Sequence, residues 1–396
     1  MGWLWRKKKK NKKLELERGA KLLEELIECC DGKSNPIKFF SADEIRKATN
    51  IFSHSNLVHQ EEFYCQWYSG KNENHPMILI RKDSNVRGGD LVCRNIAVSS
   101  MVSGHKNFMK LVGCCLELKY PVTVYHGVKK HYGLEIDEKP WKRRMKIAED
   151  IATALAYLHT AFPRPLVYMI LSHRNILLDE DGVAKLTDFS HCVSIPEGET
   201  FVRVEAEDGF YSYFADNYVN SVVVSEKTDV FAFGIFMGLT LLLGYKSYFE
   251  HYRGEEKESE EEDPEDTDEL DYFNKKRHAR YWLSKLKKDR PMEEIADRKM
   301  IKNMGQILEQ ELFQMKAFRM LSLRCMGPSE EVPTMVEVAK ELKKIQKSLN
   351  KDSYRGEEEE EESEDEFNDS SSLSSGQTQF DSAQDISSTV VLSNQT

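Results

Sequence analysis

The chain has 396 residues, 31% of them charged and 40% hydrophobic, with a net charge of −11. That length leaves room for two or three domains or lobes around a sizeable core, and the composition excludes a chain disordered throughout. The charge sits in blocks: seven Lys or Arg in residues 6–13, twelve acids and one Lys in 255–271, and nine acids in 357–366. The blocks together carry −13, which leaves +2 for everything else. A near-neutral body excludes a generally basic nucleic-acid binder. Eight cysteines without any C-x-x-C spacing make neither a disulfide scaffold nor a zinc ribbon.

The chain opens on a basic head, with Trp3 and Trp5 ahead of the cations and no secretory apolar region. An amphipathic stretch follows, in which Leu16, Ala20, Leu23, Leu26, Ile27 and Cys30 recur at helical spacing. Globular texture runs from Ile37 to about Leu349. Met77 to Ile80 and Pro121 to Tyr125 read as strands, and Ile147, Ala148, Ile151, Leu155 and Leu158 mark a helix. The apolar run Val230 to Gly244 is 15 residues long. It falls short of the roughly 18–20 residues that span a bilayer and reads as a buried core helix. The acidic run 255–271 interrupts the body as an inserted loop. Thr334 with Glu337 is a capping-box signal opening a helix whose face carries Met335, Val338, Leu342 and Ile345. Beyond Asp352 the tail is acidic, then Ser-rich, with too little apolar content to fold.

The chemistry concentrates in LVYMILSHRNILLDEDGVAKLTDFS, residues 166–190. Asn175-Ile176-Leu177-Leu178-Asp179 and Asp188-Phe189-Ser190 resemble the second half of the protein-kinase pattern H-R-D-x-x-x-x-N followed by D-F-G. Ser225-Glu226-Lys227-Thr228-Asp229-Val230 running into Phe233-Gly234 resembles the helix that anchors the large kinase lobe. FSADEIRKATNIFS (40–53) and LVGCC (111–115) are similar to plant receptor-like cytoplasmic kinases. IAVSSMVSGHKNFMKLVGCCLE (96–117), LTDFS (186–190) and SIPEGET (194–200) resemble the ZRK pseudokinases of plants. The resemblance implies an α+β fold, the bilobal kinase type. It would have a small, mainly antiparallel-sheet N-lobe over 37–127 and a large helical C-lobe over 128–350. The flanks are a 1–36 head with its amphipathic helix and a disordered 351–396 tail.

Within that pattern the catalytic parts are missing. The phosphate-cradling glycine loop falls on Val58 to Tyr64, and no glycine occurs between Gly32 and Gly70. Arg81 takes the place of the strand lysine, with Lys82 next to it, and an Arg fork does not substitute for a Lys point contact. The helix glutamate position is Ile96, with no acid from Leu91 to Leu116. The spacing back from Asn175 puts H-R-D on Tyr168-Met169-Ile170, so Ile170 stands where the base should be. No acid lies between Asp150 and Asp179. The later Glu–Arg pair of the fold falls on Asn217 and Val332, lost on both sides. What remains for a weakly held ATP is Arg81, Lys82, Asn175 and Asp188, with Asn175 and Asp188 as candidate Mg²⁺ ligands. Phe189 reads as packed core, and Ser190 replaces the glycine that lets the segment move.

The resemblance implies a catalytically inactive adaptor in plant innate immunity. It would pair with an NLR receptor and with other receptor-like cytoplasmic kinases that pathogen effectors modify, and require no cofactor. The rivals are a weak Ser/Thr kinase using Lys82, Asp188 and a base such as His173, and a product fading after duplication. Residues 3–13 suit an anionic membrane surface, the cytoplasmic face of the plasma membrane; a solvated tail and a nuclear-import tract are the alternatives. Gly2 invites myristoylation but Arg6 opposes it, and Cys29–Cys30 is a candidate for palmitoylation or for idle burial. The stretch 14–30 either docks a partner or packs on its own small lobe.

Overall fold

The computed structural model describes residues 2–30, 36–61, 65–72, 75–83, 89–127, 132–134, 136, 139–205, 221–244, 286, 290–328 and 330–347. The described residues lie in one compact unit spanning residues 1–349. The insertion 255–271, Asn217 and the tail lie outside the described residues.

The first helix, α1 (Gly2–Cys30), is longer than the sequence suggests. The basic head forms its first half. Lys is a good helix former, and extending an existing helix avoids the nucleation cost. The face α1 buries is also not the apolar stripe of the sequence reading. Leu22, Glu25 and Cys29 are buried and Leu26 partly so, whereas Leu16, Leu23 and Ile27 are exposed.

A six-stranded sheet follows, made of β1 (Lys38–Phe39), β2 (Leu57–Glu61), β3 (Cys65–Asn72), β4 (His75–Asp83), β5 (Leu111–Cys115) and β6 (Val122–His126). Its order is β1-β5-β6-β4-β3-β2, antiparallel throughout except that β1 joins the β5 edge in parallel. The glycine of LVGCC is a packing requirement, because a Cβ on Gly113 would run into the Lys38 carbonyl of the adjacent β1 strand. One face of the sheet carries Ile78, Ile80, Val122 and Val124 against α2 (Ala42–Ala48). The other carries Trp67, Leu79 and Tyr125 against α3 (Gly89–Val102) and the rest of the core. The alternation along β4 therefore decides which side chains see the cleft.

The larger part is helical: α4 (Trp141–Thr160), α5 (Glu226–Ile235), α6 (Met292–Ile295), α7 (Arg298–Met304), α8 (Glu309–Cys325) and α9 (Met335–Lys347). Short strands β7 (Tyr132–Gly133), β8 (Leu166–Val167), β9 (Ile176–Leu178), β10 (Ala184–Leu186), β11 (Val193–Ser194), β12 (Val202–Glu205) and β13 (Ser221–Val224) pair in the orders β10-β9-β7, β11-β8 and β12-β13. The five apolar positions read from α4 are all fully buried. The 15-residue apolar run is the end of α5 continued by π-helical turns over Phe236–Leu242, buried beneath α8. Thr334 and Glu337 form the expected capping box at α9, and Met335, Val338, Leu342 and Ile345 are buried.

One ion pair lies wholly inside this half. Arg144 of α4 meets Asp297 at 2.6 Å with both side chains buried, and also donates to the carbonyls of Lys139 and Leu241. Asp297 accepts in addition from the Lys299 and Met300 amides, capping α7. Removing one member strands the other charge out of water. Arg144→Leu should therefore cost about 3–5 kcal/mol of unfolding free energy, with Asp297→Asn recovering part of it in the double variant. Urea midpoints of the three proteins check this.

Candidate functional site

The catalytic-loop register is fixed by Asp229 of α5. Its carboxylate accepts from the Tyr168 amide at 2.7 Å and the Met169 amide at 2.8 Å, and pairs with His159 at 2.8 Å. Those bonds hold Met169 at φ 71, a left-handed conformation that an ordinary residue adopts only when over-determined. Ile170 follows, and the Asn175 side-chain amide reaches back toward its carbonyl at 3.4 Å. The position read as the base thus carries an apolar sec-butyl side chain, which cannot accept a proton. His173 sits in a short 3₁₀ turn, His173–Asn175, at the end of the loop.

Asp188 is also left-handed, at φ 63, and both of its carboxylate oxygens are engaged. Oδ2 accepts from Arg81 Nη2 at 2.8 Å, and Oδ1 accepts from the Ser190 hydroxyl at 2.6 Å and its amide at 3.3 Å. Arg81 points from β4 into the cleft and is buried, and its Nη2 also pairs with Asp83 at 2.9 Å. Burial opposes the Arg81 charge, yet the two carboxylates raise its pKa well above the ordinary value. Burial would also raise Asp188, but Arg81 and the Ser190 bonds hold that carboxyl below its usual range. Asp83 differs: burial pushes it up to about 6, against the pull of Arg81.

Lys82 is not part of this cluster. As its neighbour's opposite in the pleat, it points to the other face of the sheet, with Nζ 4.9 Å from the Phe52 ring centroid. The candidate cation at the cleft is Arg81 alone, and the weak-kinase reading loses its lysine. Nor does the donor set fit Mg²⁺ at Asn175 and Asp188. A divalent ion needs several free oxygens, and Asp188 already spends both of its own, one of them on a buried guanidinium. The buried atoms without a hydrogen-bond partner among the described residues include Arg81 Nη1, a donor that repels metal, and Asp83 Oδ2.

The expected glycine loop is ordinary paired strand up to Glu61, which faces Cys65 across the β2–β3 register. Residues 62–64 lie outside the described residues. Ile96 is buried in the main core, and two neighbours on α3 do the tethering. Asn95 Oδ1 accepts from the Phe189 amide at 2.9 Å. Arg94 donates to the Cys192 carbonyl at 3.2 Å and pairs with Glu25 of α1 at 2.6 Å. Phe189 is packed between Phe108 and Tyr168, with ring centroids 5.7 and 5.9 Å away.

Asp83, Asn95, Arg94 and Glu25 were not singled out in the sequence. Asp83 had a signal, since it lies two residues past Arg81 and so on the same face of a strand. Arg94 and Glu25 are 69 positions apart and had none. Cys29 turns inward, and burial pushes its thiol up to about 12, far from the reactive thiolate range.

Residues 71–352 match the protein kinase domain family. The chain is 74% identical, over 100% of both sequences, to a protein of Arabidopsis thaliana named a probable inactive receptor-like protein kinase. It is 58% identical to the inactive serine/threonine-protein kinase ZRK12 of the same plant, covering 100% of this chain and 90% of that one. It is 49% identical to that plant's non-functional pseudokinase ZRK15, covering 83% and 90%.

The two carboxylates beside Arg81 should leave opposite marks on stability. Unfolded, both titrate near about 4. A folded Asp83 near 6 binds more protons than the unfolded chain, so its contribution falls as pH rises from about 4 to 6. Asp188, held low, contributes stability that is present at neutral pH and lost as pH drops below about 4. Relative to the unaltered protein, Asp83→Asn should therefore gain stability between pH 4.5 and 7, while Asp188→Asn should be most damaging at neutral pH. Denaturation midpoints across that pH range check both signs.

Proposed function

Because the chain belongs to the protein kinase family, and within it to the inactive ZRK-type pseudokinases, we propose that it works as a protein-binding adaptor. The observation that carries this is the grip of Asp229 on Tyr168 and Met169, the residues just before Ile170, which is read as the base position. Absence of a positioned base alone costs about 10²–10⁴ in rate. The cleft adds the Arg81–Asp188 pair, which uses the remaining anion internally. A fold kept intact around such a centre is suited to presenting surfaces to other proteins. The partners that the ZRK resemblance supports are a coiled-coil NLR receptor and other receptor-like cytoplasmic kinases, through which pathogen effectors would be sensed.

On this reading Mg²⁺-ATP binds with a Kd above roughly 1 mM, about 4 kcal/mol or less. No thermal shift of several degrees should appear at millimolar nucleotide. A shift lost on Asp188→Ala, or label incorporation that this variant abolishes, overturns the reading. Co-precipitation of the tagged full chain from leaf extract, read by mass spectrometry, should recover an NLR and a cytoplasmic kinase.

We place the protein peripherally at the cytoplasmic face of the plasma membrane. No helix among the described residues is long and apolar enough to cross a membrane. Seven cations in residues 6–13, on the first half of α1, support electrostatic attachment at about 1 kcal/mol each near an anionic leaflet. Pelleting with anionic liposomes should weaken as salt rises. It should be largely lost when Lys7 to Lys10 are changed to Gln; equal pelleting of both proteins refutes the attachment.

A further inference from the structure

Glu25 is the acidic residue of α1 that the fold buries, at 2% exposed. A carboxylate out of water needs a partner, and Arg94 of α3 supplies it twice. Nε reaches Oε2 at 2.6 Å and Nη2 reaches Oε1 at 3.3 Å. Nη2 also meets Glu28 at 3.3 Å. The guanidinium is planar, so holding Nε and Nη2 from α1 fixes the direction of its third nitrogen. That nitrogen, Nη1, donates to the Cys192 carbonyl at 3.2 Å. Two residues past Glu25, the Ile27 carbonyl accepts from Arg164 at 3.3 Å. Cys192 stands just ahead of β11 and Arg164 shortly ahead of β8, and these strands pair antiparallel, Val193 with Val167 and Ser194 with Leu166. The end of α1 is thereby tied to both ends of one short strand pair.

The two ends of the segment after β10 are held differently. Asp188 and Phe189 have anchors of their own, in the bonds from Arg81 and to Asn95, and neither bond involves α1. Residues 192–195 rest on the two-residue pairing with β8, the Ile195 amide on the Pro165 carbonyl at 2.9 Å, and the Arg94 bond. α1 is itself lightly seated. Over residues 12–29 it buries Leu22, Glu25 and Cys29. Its other anchor is Arg18, which donates to the carbonyls of Leu116, Leu118 and Lys119 at 2.6–2.8 Å. An element with few buried apolar contacts opens at a lower free energy than the core beneath it. When α1 lifts, Arg94 loses the acids that aim it, its charged head turns to water, and the Cys192 carbonyl loses that donor.

We propose that α1 is a strap over the segment that follows Asp188-Phe189-Ser190. Seated, it fixes residues 192–195 through Arg94 and Arg164. Lifted, it releases them while the sheet and the helical half stay folded. The coupling is reciprocal, because a bond network shared by two elements stabilises each by the same amount. Arg94 is a positioning residue in this device, carrying the state of α1 to a backbone carbonyl on the far side of α3. The inference goes beyond the adaptor reading and does not need it, since the coupling belongs to the chain without any partner.

Amide hydrogen exchange of the full chain, read by mass spectrometry peptide by peptide, tests the strap. Arg94→Met and Glu25→Gln should each speed exchange over residues 191–199 by about fivefold or more, the scale of ordinary coupling between two sites. Exchange across α8 and α9 should stay as in the unaltered protein. Arg18→Gln is the decisive variant, because it loosens α1 about two turns from Glu25, at bonds to residues 116–119. It should speed exchange over 191–199 by about fivefold or more as well. A rise confined to α1 in Arg18→Gln makes the Arg94 bond a local contact and overturns the proposal. Unchanged exchange over 191–199 in Arg94→Met overturns it too. So does a rise spread equally through α8 and α9, which is general destabilisation. Should Glu25→Gln not fold, Glu28→Gln takes its place, trimming one contact of Arg94 at an exposed position. It should move the same peptide in the same direction by a smaller factor, and no movement there counts against the strap.

Discussion

A buried guanidinium between two carboxylates sets the character of the cleft. Arg81 is buried, and an unpaired charge in that position would be costly. Asp188 and Asp83 supply the compensation, with the Arg81 pairs at 2.8 and 2.9 Å. In an active kinase the equivalent aspartate spends its charge on Mg²⁺. Here the charge is spent inside the protein, and Ser190, through its hydroxyl, holds the other oxygen. The site has become part of the scaffold that joins the sheet to the helical half.

The same substitution of roles recurs on α3. Ile96, buried in apolar core, offers no charge to hold this helix against the cleft. Asn95 and Arg94 hold it by hydrogen bonds to the Phe189 amide and the Cys192 carbonyl. Arg94 is itself oriented by Glu25 and Glu28 of α1. The first helix is thereby linked, through one arginine, to the segment that follows Asp188-Phe189-Ser190. Loss of catalysis has removed charges that served phosphate and left those that serve geometry.

Much of the fold was legible because it rests on local patterns. The α4 stripe, the α9 capping box, the β4 and β6 strands and the buried Val230 to Gly244 run are periodicity and capping signals that packing reinforces. The catalytic-loop register was read from the spacing back from Asn175, which is a property of the chain. Which face of α1 packs was left open by the sequence for a physical reason. The helix has two apolar faces, and composition does not say which one α3 will cover.

The sequence alone puts Ile170 at the expected base position, holds no glycine between Gly32 and Gly70, and holds no acid between Asp150 and Asp179. These are absences, and an absence in sequence survives any fold. Only the tertiary structure decided that Arg81 and not Lys82 enters the cleft, that Asp83 joins it, and that Glu25 meets Arg94 across 69 positions. Which face of a strand or helix meets a charge is set by packing between distant segments, and that information is not carried by either segment by itself.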